Sequence, residues 1–183
     1  MSESPRVYTR TGDDGTTGLF YGGRVRKDAP APRAYGAVDE AQAALGVARA
    51  EAERGSELDE LLTRLERDLY VCMAELATAP ENHHKLTPGT TKVTDGMVSA
   101  LEPIIDDLLA RFPMPADFVI PGGTRTGAAL DVARTVVRRA ERDSLAVAVD
   151  GSHAVAYLNR LSDLLWAMAR WQEADSTLLA KEP

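Results

Sequence analysis

Length, charge and cysteine content already exclude several classes of protein. The 183 residues suit one domain, and the net charge of −7 argues against a general nucleic-acid binder, which needs an excess of Lys and Arg. The single cysteine, Cys72, excludes a disulfide framework and a zinc cluster built on thiolates. A polar start and the lack of a long apolar run predict a soluble cytoplasmic protein without a signal peptide or a membrane span.

The stretch from Tyr8 to Val25 is rich in Gly and Thr and lacks both helical periodicity and the alternation of a strand. We expect an ordered loop whose free backbone N–H groups and hydroxyls can cradle phosphates, although such loops also serve as plain connectors. It is not a Walker A loop, because no Gly-Lys-Ser/Thr follows. Asp13 and Asp14 are placed either to approach Mg²⁺ through water or to form turns.

Apolar residues recur at helical spacing in the rest of the chain and predict five helices. Their expected ranges are about 33–54, 56–79, 94–113, 124–149 and 152–175. Pro103 should kink the third helix, and Cys72 falls on the buried side of the second. With short connections and no convincing sheet, we predict the all-α class: a five-helix up-and-down bundle over residues 33–176, within a single domain of residues 1–183.

The fourth predicted helix carries three arginines at a spacing of four, Arg134, Arg138 and Arg142, here called the arginine ridge. Side chains at this spacing leave one side of a helix, and nearby only Glu141 offsets their charge. Because a guanidinium binds phosphate or carboxylate oxygens two at a time, the ridge is suited to anions. The glycine-rich turn in Phe118–Thr124, at the positive end of this helix, favours that interpretation over a solvated helix face.

Two adjacent histidines, His83 and His84, lie in a polar loop after Pro80. They are potential metal ligands, but no acidic or His partner stands at a fixed helical spacing from them. We therefore interpret both as surface residues.

Motifs in both halves of the chain resemble those of one family. The motifs are Tyr8–Thr17, Gly23–Val25 with Lys27, Ala34–Glu40, Phe118–Gly123, Ala133–Thr135, Arg138–Arg142 and Leu158–Asp163. In this combination and order they are similar to the signatures of PduO-type ATP:cob(I)alamin adenosyltransferases. The resemblance covers nearly the whole chain, except that residues from about 55 to 115 match only as helical filler.

The resemblance implies a homotrimer of five-helix bundles of the ferritin-like, cobalamin adenosyltransferase type, with active sites between neighbouring subunits. It implies transfer of the 5′-deoxyadenosyl group of ATP to the cobalt of cob(I)alamin, with release of triphosphate. Mg²⁺ is expected to be held mainly by phosphate oxygens and water, and the motifs assign it no protein ligand. The resemblance implies a corrinoid reductase and an adenosylcobalamin-dependent mutase as partners. Binding to nucleic acid or to a membrane is not expected.

The resemblance also implies roles for individual residues. The nucleotide would be bound by residues of the N-terminal segment, 1–30, and of the last two helices: Thr9, Arg10, Thr11, Gly12, Thr17, Gly18, Lys27, Arg138, Arg139, Glu141, Arg142 and Asn159. Arg138, Arg134, Asp39 and Phe118 would act in catalysis. Asp39 would pair with Arg134 across the subunit boundary. Phe118 would face the lower side of the corrin ring and help to displace the axial ligand.

Some positions depart from the family pattern. Ala41-Gln42-Ala43 replaces a common Leu-Asn-Ser, Thr124–Gly127 is more polar than usual, and Asp131 stands where His is common. These departures concern the corrin side rather than the nucleotide side. Two other functions fit the same residues: a cobalamin carrier that consumes no ATP, and a structural bundle whose arginines form ion pairs between subunits. A ferritin-like di-iron site is disfavoured because paired Glu-x-x-His motifs are missing.

Overall fold

The computed structural model describes residues 8–181, and within this range the chain is mainly helical. Its six helices are α1 Pro30–Ala50, α2 Glu57–Leu76, α3 Asp95–Ser99, α4 Glu102–Leu109, α5 Arg125–Ser144 and α6 Ala154–Glu173. The four long helices form the body of a bundle, so the predicted all-α helical bundle is confirmed. None of the helices in the described range combines the length and apolar character needed to cross a bilayer.

Side-chain caps explain where three of the helices begin. Ser56, Thr94 and Thr124 each accept a hydrogen bond from the backbone N–H three residues later, which satisfies a donor that the first helical turn leaves free. The first helix has Pro30 in its opening turn, where the missing N–H costs nothing. These starts lie within a few residues of the predicted ones.

The third predicted helix is two helices rather than one kinked helix. The first ends at Ser99, and Pro103 lies in the first turn of the second. A proline ring clashes with the carbonyl four residues earlier, which here belongs to Ser99. The helix therefore breaks at Ala100 and Leu101 instead of bending.

The core lies where α5 packs between α1 and α6, with α2 against α1 and α4 against α6. It consists mostly of leucine and small apolar residues, and its fully buried members include Leu45, Leu65, Leu69, Val137, Leu158, Leu161 and Leu165. Burying each such side chain contributes about 1.5–3 kcal/mol. Cys72 is buried among them, and this burial raises the pKa of its thiol.

Two small antiparallel strand pairs were not expected from the sequence. Strand β1, Thr16–Gly18, pairs with β2, Arg24–Arg26, and strand β3, Val119–Ile120, pairs with β4, Leu178–Leu179. Strands of two or three residues are too short to show the alternation that identifies a strand. The pairs fasten the Gly/Thr-rich segment into a hairpin and join the turn before α5 to the chain after α6.

Candidate active site

The arginine ridge leaves α5 on its exposed side, and its members differ in their partners. Arg134 Nε donates to Asp131 Oδ1 at 3.0 Å, and Arg142 Nη1 donates to the carbonyl oxygen of Arg138 at 2.9 Å. The exposed guanidinium of Arg138 has no hydrogen bond or ion pair to any group in residues 8–181. A guanidinium without a local counter-charge is free to bind an anion.

Two polar contacts flank the exposed side of α5. On the α1 side, Arg139 forms an ion pair with Glu40. On the α6 side, Asn159 Nδ2 donates to Glu141 Oε1 at 2.9 Å. The structure thus brings Arg139, Glu141 and Asn159 next to the ridge, as the motifs imply, and it adds Glu40 as the counter-charge of Arg139.

A cleft of about 190 Å³ lies between the start of α1 and the end of α5. Its lining comprises Asp28, Pro30, Arg33, Arg142, Asp143 and Ala146. Arg26 donates to both carboxylate oxygens of Asp28, at 2.8 and 2.7 Å, and these bonds lower the pKa of Asp28. The last part of the N-terminal segment therefore reaches Arg142 within one chain.

The Gly/Thr-rich segment is folded around Arg24. The guanidinium of Arg24 donates to the carbonyl oxygen of Thr11 at 2.6 Å and to Oγ1 of Thr16 at 2.6 and 3.1 Å. The hydroxyl and N–H of Thr16 both donate to Asp14, which lowers the pKa of that carboxyl. Asp14 is thus a turn former, whereas the exposed carboxylate of Asp13 has no partner in residues 8–181.

Lys27 lies directly against Gly12. A Cβ atom at Gly12 would stand 3.1 Å from Lys27 Nζ and 3.1 Å from the carbonyl oxygen of Thr16. The backbone N–H of Lys27 donates to the carbonyl oxygen of Gly15 at 2.9 Å, but its ammonium group has no hydrogen-bond or ion-pair partner in residues 8–181, so its charge is available to a ligand of this loop. A side chain at position 12 would therefore press against the fixed backbone carbonyl of Thr16 and displace the more flexible ammonium group of Lys27.

The other predicted nucleotide residues of this segment lie on either side of Gly12. The hydroxyls of Thr9 and Thr11 are 2.8 Å apart, and Arg10 between them has a φ of 62°, a conformation that L residues rarely adopt. Thr17 and Gly18 belong to β1. Such backbone outliers concentrate at ligand-binding sites, and the nucleotide-binding role of this segment stays a prediction.

The two halves of the predicted nucleotide site are largely separate in a single chain. The hairpin is fastened to the end of α2, where Phe20 N donates to the carbonyl oxygen of Ala77 at 2.9 Å. Over residues 8–181, no hydrogen bond or ion pair joins Thr9–Gly18 to the arginine ridge. The cleft at Arg142 is where the two halves approach.

Asp39 and Arg134 do not pair within the chain. Asp39 is exposed and lines a groove between α1 and α2 together with Arg67 and Tyr70. Arg134 is instead engaged by Asp131 on its own helix.

Phe118 has an exposed side chain on a fixed backbone. Its ring is 85% exposed. Its N–H donates to Asp117 Oδ1 at 2.7 Å, and its carbonyl oxygen accepts from Ala180 N at 2.8 Å. Ile120 pairs with Leu178 in the adjoining strands and both are also exposed, so Phe118 and this strand pair together present three exposed apolar residues. This is the kind of surface that an apolar ligand or partner covers.

A buried charged cluster behind this surface was not predicted. Arg170 Nη2 donates to Asp131 Oδ2 at 2.5 Å and lies 3.0 Å from Glu173 Oε2. Each of the three side chains is almost fully buried. The sequence contained a signal for it, because Glu173 stands eight residues after Leu165 on the apolar stripe of α6, where a charge requires a partner.

His83 and His84 lie in a 3₁₀ helix, Pro80–Lys85, and each uses a ring nitrogen to contact a backbone carbonyl, at 3.1 and 2.9 Å. Within residues 8–181 there is no group of three or more His, Cys, Asp or Glu side chains that could hold a metal ion.

The sequence of this chain matches a known protein family. A family model described as cobalamin adenosyltransferase matches residues 7–172. The chain therefore belongs to the cobalamin adenosyltransferase family. This confirms the predicted membership of the PduO-type group and the predicted transferase class.

Individual relatives agree over nearly the full length. The chain is 41% identical over 178 residues to a corrinoid adenosyltransferase of Citrobacter freundii, which covers 96% of this chain and 99% of that protein. It is 40% identical over 179 residues to a corrinoid adenosyltransferase of Mycobacterium tuberculosis, with 95% and 92% covered.

A solved structure shares the fold. It is a variant of the PduO-type ATP:corrinoid adenosyltransferase from Lactobacillus reuteri, complexed with cobalamin and ATP. The TM-score is 0.83 at 30% identity, and the match covers 97% of this chain and all of the other, 100%.

Proposed function

We propose that this protein transfers the 5′-deoxyadenosyl group of ATP to the cobalt of cob(I)alamin, forming adenosylcobalamin and triphosphate. The observation that carries the proposal is the exposed guanidinium of Arg138 on the arginine ridge, which has no hydrogen-bond or ion-pair partner among residues 8–181, in a chain of the cobalamin adenosyltransferase family. The related enzyme from Lactobacillus reuteri binds both ATP and cobalamin, which supports the same pair of substrates here.

The chemistry requires little from the protein beyond positioning and charge. The electron pair of cobalt(I) forms the bond to the 5′ carbon, and the bond between that carbon and the triphosphate oxygen breaks with its electrons going to triphosphate. Cobalt(I) is a strong nucleophile, so no Ser-His or Cys-His pair is needed. The protein must align the reacting atoms and stabilise the negative charge that develops on the leaving group.

The nucleotide side of the proposed site combines the loop at Gly12 with α5. Backbone and hydroxyl groups of the loop, with Lys27, bind the phosphates, while Arg138, Arg139 and Arg142 neutralise their charge. The Glu141–Asn159 contact completes this side. Mg²⁺ enters with the phosphates, which supply oxygen ligands, and the exposed carboxylate of Asp13, which has no partner among residues 8–181, is available in this loop to assist through water.

The corrin side of the proposed site is built on Phe118. Its exposed ring and the apolar neighbours Ile120 and Leu178 offer a surface for a flat, largely apolar macrocycle. A ring that faces the lower side of the corrin excludes the axial ligand, which makes cobalt easier to reduce.

We further propose a homotrimer with sites completed between subunits, each chain supplying one domain in which residues 1–30 serve the nucleotide and residues 33–176 form the bundle. Two observations support it. Asp39 and Arg134 do not pair within one chain, and no hydrogen bond or ion pair in residues 8–181 joins Thr9–Gly18 to the arginine ridge. Cytoplasmic location, reduction by a corrinoid reductase and delivery to an adenosylcobalamin-dependent mutase complete the proposal. Sedimentation tests the assembly: a monomer would contradict it.

The activity is tested by mixing the protein with ATP, Mg²⁺ and chemically reduced cobalamin. The absorption spectrum of adenosylcobalamin should appear, with one triphosphate released for each corrinoid converted. Conversion no faster than the uncatalysed rate would contradict the proposal. Corrinoid binding without triphosphate release would instead indicate a cobalamin carrier.

The variant Arg138→Ala tests the residue that carries the proposal. Removing one donor to a developing anion costs about 100- to 1,000-fold in kcat. Because the side chain is exposed and has no partner in the described part of the chain, the free energy of unfolding should change by less than about 0.5 kcal/mol. Arg54→Ala, which removes an exposed arginine of the α1–α2 connection, is the matched control and should leave kcat unchanged. Loss of folding in Arg138→Ala would show that Arg138 is structural. Equal losses of kcat in Arg138→Ala and Arg54→Ala would show that the effect is not specific to the arginine ridge.

A further inference from the structure

The chain after α6 fastens the turn that carries Phe118. This turn, residues 118–123, is called the Phe118 turn. Ala180 N donates to the carbonyl oxygen of Phe118 at 2.8 Å, and β4 pairs with β3. At the other end of the turn, Glu173 Oε1 accepts hydrogen bonds from Gly122 N at 3.2 Å and from Gly123 N at 3.0 Å.

Packing at Gly123 leaves no room for a side chain. A Cβ atom at Gly123 would stand 2.5 Å from the carbonyl oxygen of Ser176 and 3.3 Å from Cδ of Glu173. Gly122 has a φ of +113°, which a residue with a side chain would adopt only under strain. Hydrogen bonds at both ends and close packing at Gly123 therefore restrain the backbone of the Phe118 turn, although Phe118 itself is exposed.

The Glu173 carboxylate, which binds the Phe118 turn, itself forms an ion pair with Arg170. Glu173 and Arg170 are each 2% exposed, and Asp131 is 4% exposed. The positive charge of Arg170 offsets the negative charges of Asp131 and Glu173. Its guanidinium also lies 5.7 Å from the centre of the Trp166 ring. Buried charges are tolerated only when they are paired in this way, so the cluster has few alternative arrangements. The second oxygen of Asp131 binds Arg134, the ridge residue nearest to the cluster.

We propose that Glu173, backed by Arg170 and Asp131, is a positioning residue for the corrin side of the active site. It acts through the backbone of the Phe118 turn and does not contact ATP. This inference rests on the proposed function, which places the corrin against Phe118. A reacting group that is misplaced by about 1 Å can lose about 100-fold in rate, so a fixed backbone under an exposed ring has a direct catalytic value.

The variant Glu173→Ala tests the inference. Releasing the turn should raise KM for cob(I)alamin at least about tenfold. KM for ATP should stay within about twofold of the wild type, because in residues 8–181 no hydrogen bond or ion pair joins Glu173 to Thr9–Gly18 or to Arg138. Glu173→Gln is the matched control. Its amide oxygen still accepts from Gly122 and Gly123, so KM for cob(I)alamin should stay within about threefold of the wild-type value.

A double variant distinguishes positioning from general stability. If Glu173 acts through Phe118, then Glu173→Ala combined with Phe118→Ala should be no worse than Phe118→Ala alone. Losses that multiply, or equal changes in both KM values, would overturn the inference. Should Glu173→Ala fail to fold, Ala180→Pro removes the N–H that binds the Phe118 carbonyl and should give the same selective loss.

Equilibrium binding separates the inference from the proposed function. Cobalamin is titrated into the ATP-loaded protein and followed by its absorption. Binding by the wild type that weakens at least about tenfold in Glu173→Ala supports the positioning role even if no adenosyl transfer occurs. Transfer by the wild type with unchanged cobalamin binding and KM in Glu173→Ala would leave the proposed function intact and refute the role of Glu173.

Discussion

The substitution Gly127→Ala tests the packing on which the Phe118 turn depends. Gly127 is the third residue of α5, and its N–H donates to the capping hydroxyl of Thr124 at 3.0 Å. Considered alone, alanine would be better than glycine in a helix by about 0.5–1 kcal/mol. The tertiary structure opposes that gain, because Gly127 is buried against Glu173.

The size of the opposing effect follows from the distances. A Cβ atom at Gly127 would stand 2.6 Å from Cγ and 3.0 Å from Oε1 of Glu173. Carbon atoms in contact prefer about 3.5–4.0 Å, so the overlap is roughly 1 Å. Glu173 cannot simply rotate away, since it binds Gly122 and Gly123. Overpacking of this kind costs about 1–3 kcal/mol. After subtraction of the helical gain of about 0.5–1 kcal/mol, we expect a net loss of about 0–2.5 kcal/mol, with a central value of about 1 kcal/mol.

The assay is urea unfolding followed by circular dichroism at a fixed protein concentration. The matched control is Gly36→Ala in the middle of α1, where an added Cβ would meet no atom within 4 Å. The control should gain about 0.5–1 kcal/mol, while Gly127→Ala should lose stability. If both variants gain equally, the contact between α5 and Glu173 is loose and the rigidity argued for the Phe118 turn is refuted.

Two further predictions concern the loop at Gly12 and a buried carboxyl group. Gly12→Ala should displace the ammonium of Lys27 and raise KM for ATP several-fold with little change in stability. The double variant Gly12→Ala/Lys27→Ala should have the same KM for ATP as Lys27→Ala alone, and effects on KM that multiply would contradict the contact. The second concerns Asp68, which accepts from the Tyr157 hydroxyl at 2.9 Å; burial raises the pKa of its carboxyl. The folded state then keeps this proton to higher pH than the unfolded state, so the group's contribution to stability falls as pH rises from about 3.8 through the folded-state pKa. Urea unfolding at pH 4 and pH 7 should show the wild type losing stability relative to Asp68→Asn over that interval, and the opposite trend would refute the assignment.

Local sequence determined the helices of this protein. The periodic leucines of α2 and α6 and the caps at Ser56, Thr94 and Thr124 act over one or two turns, so they can be read from neighbouring residues. The same holds for Pro103, although its clash with the preceding turn ended a helix where a kink was expected.

The tertiary structure alone decided which charges are free. The spacing of the arginine ridge placed three guanidiniums on one side of α5, but only the folded chain shows that Arg134 is engaged by Asp131 while Arg138 stays unpartnered in residues 8–181. Likewise, Glu173 reaches Gly122 and Gly123 across about fifty residues of sequence. The physical reason is the range of the interactions. Helical periodicity and caps are satisfied within a few residues, whereas an ion pair or a strand pair depends on distant segments that only packing brings together.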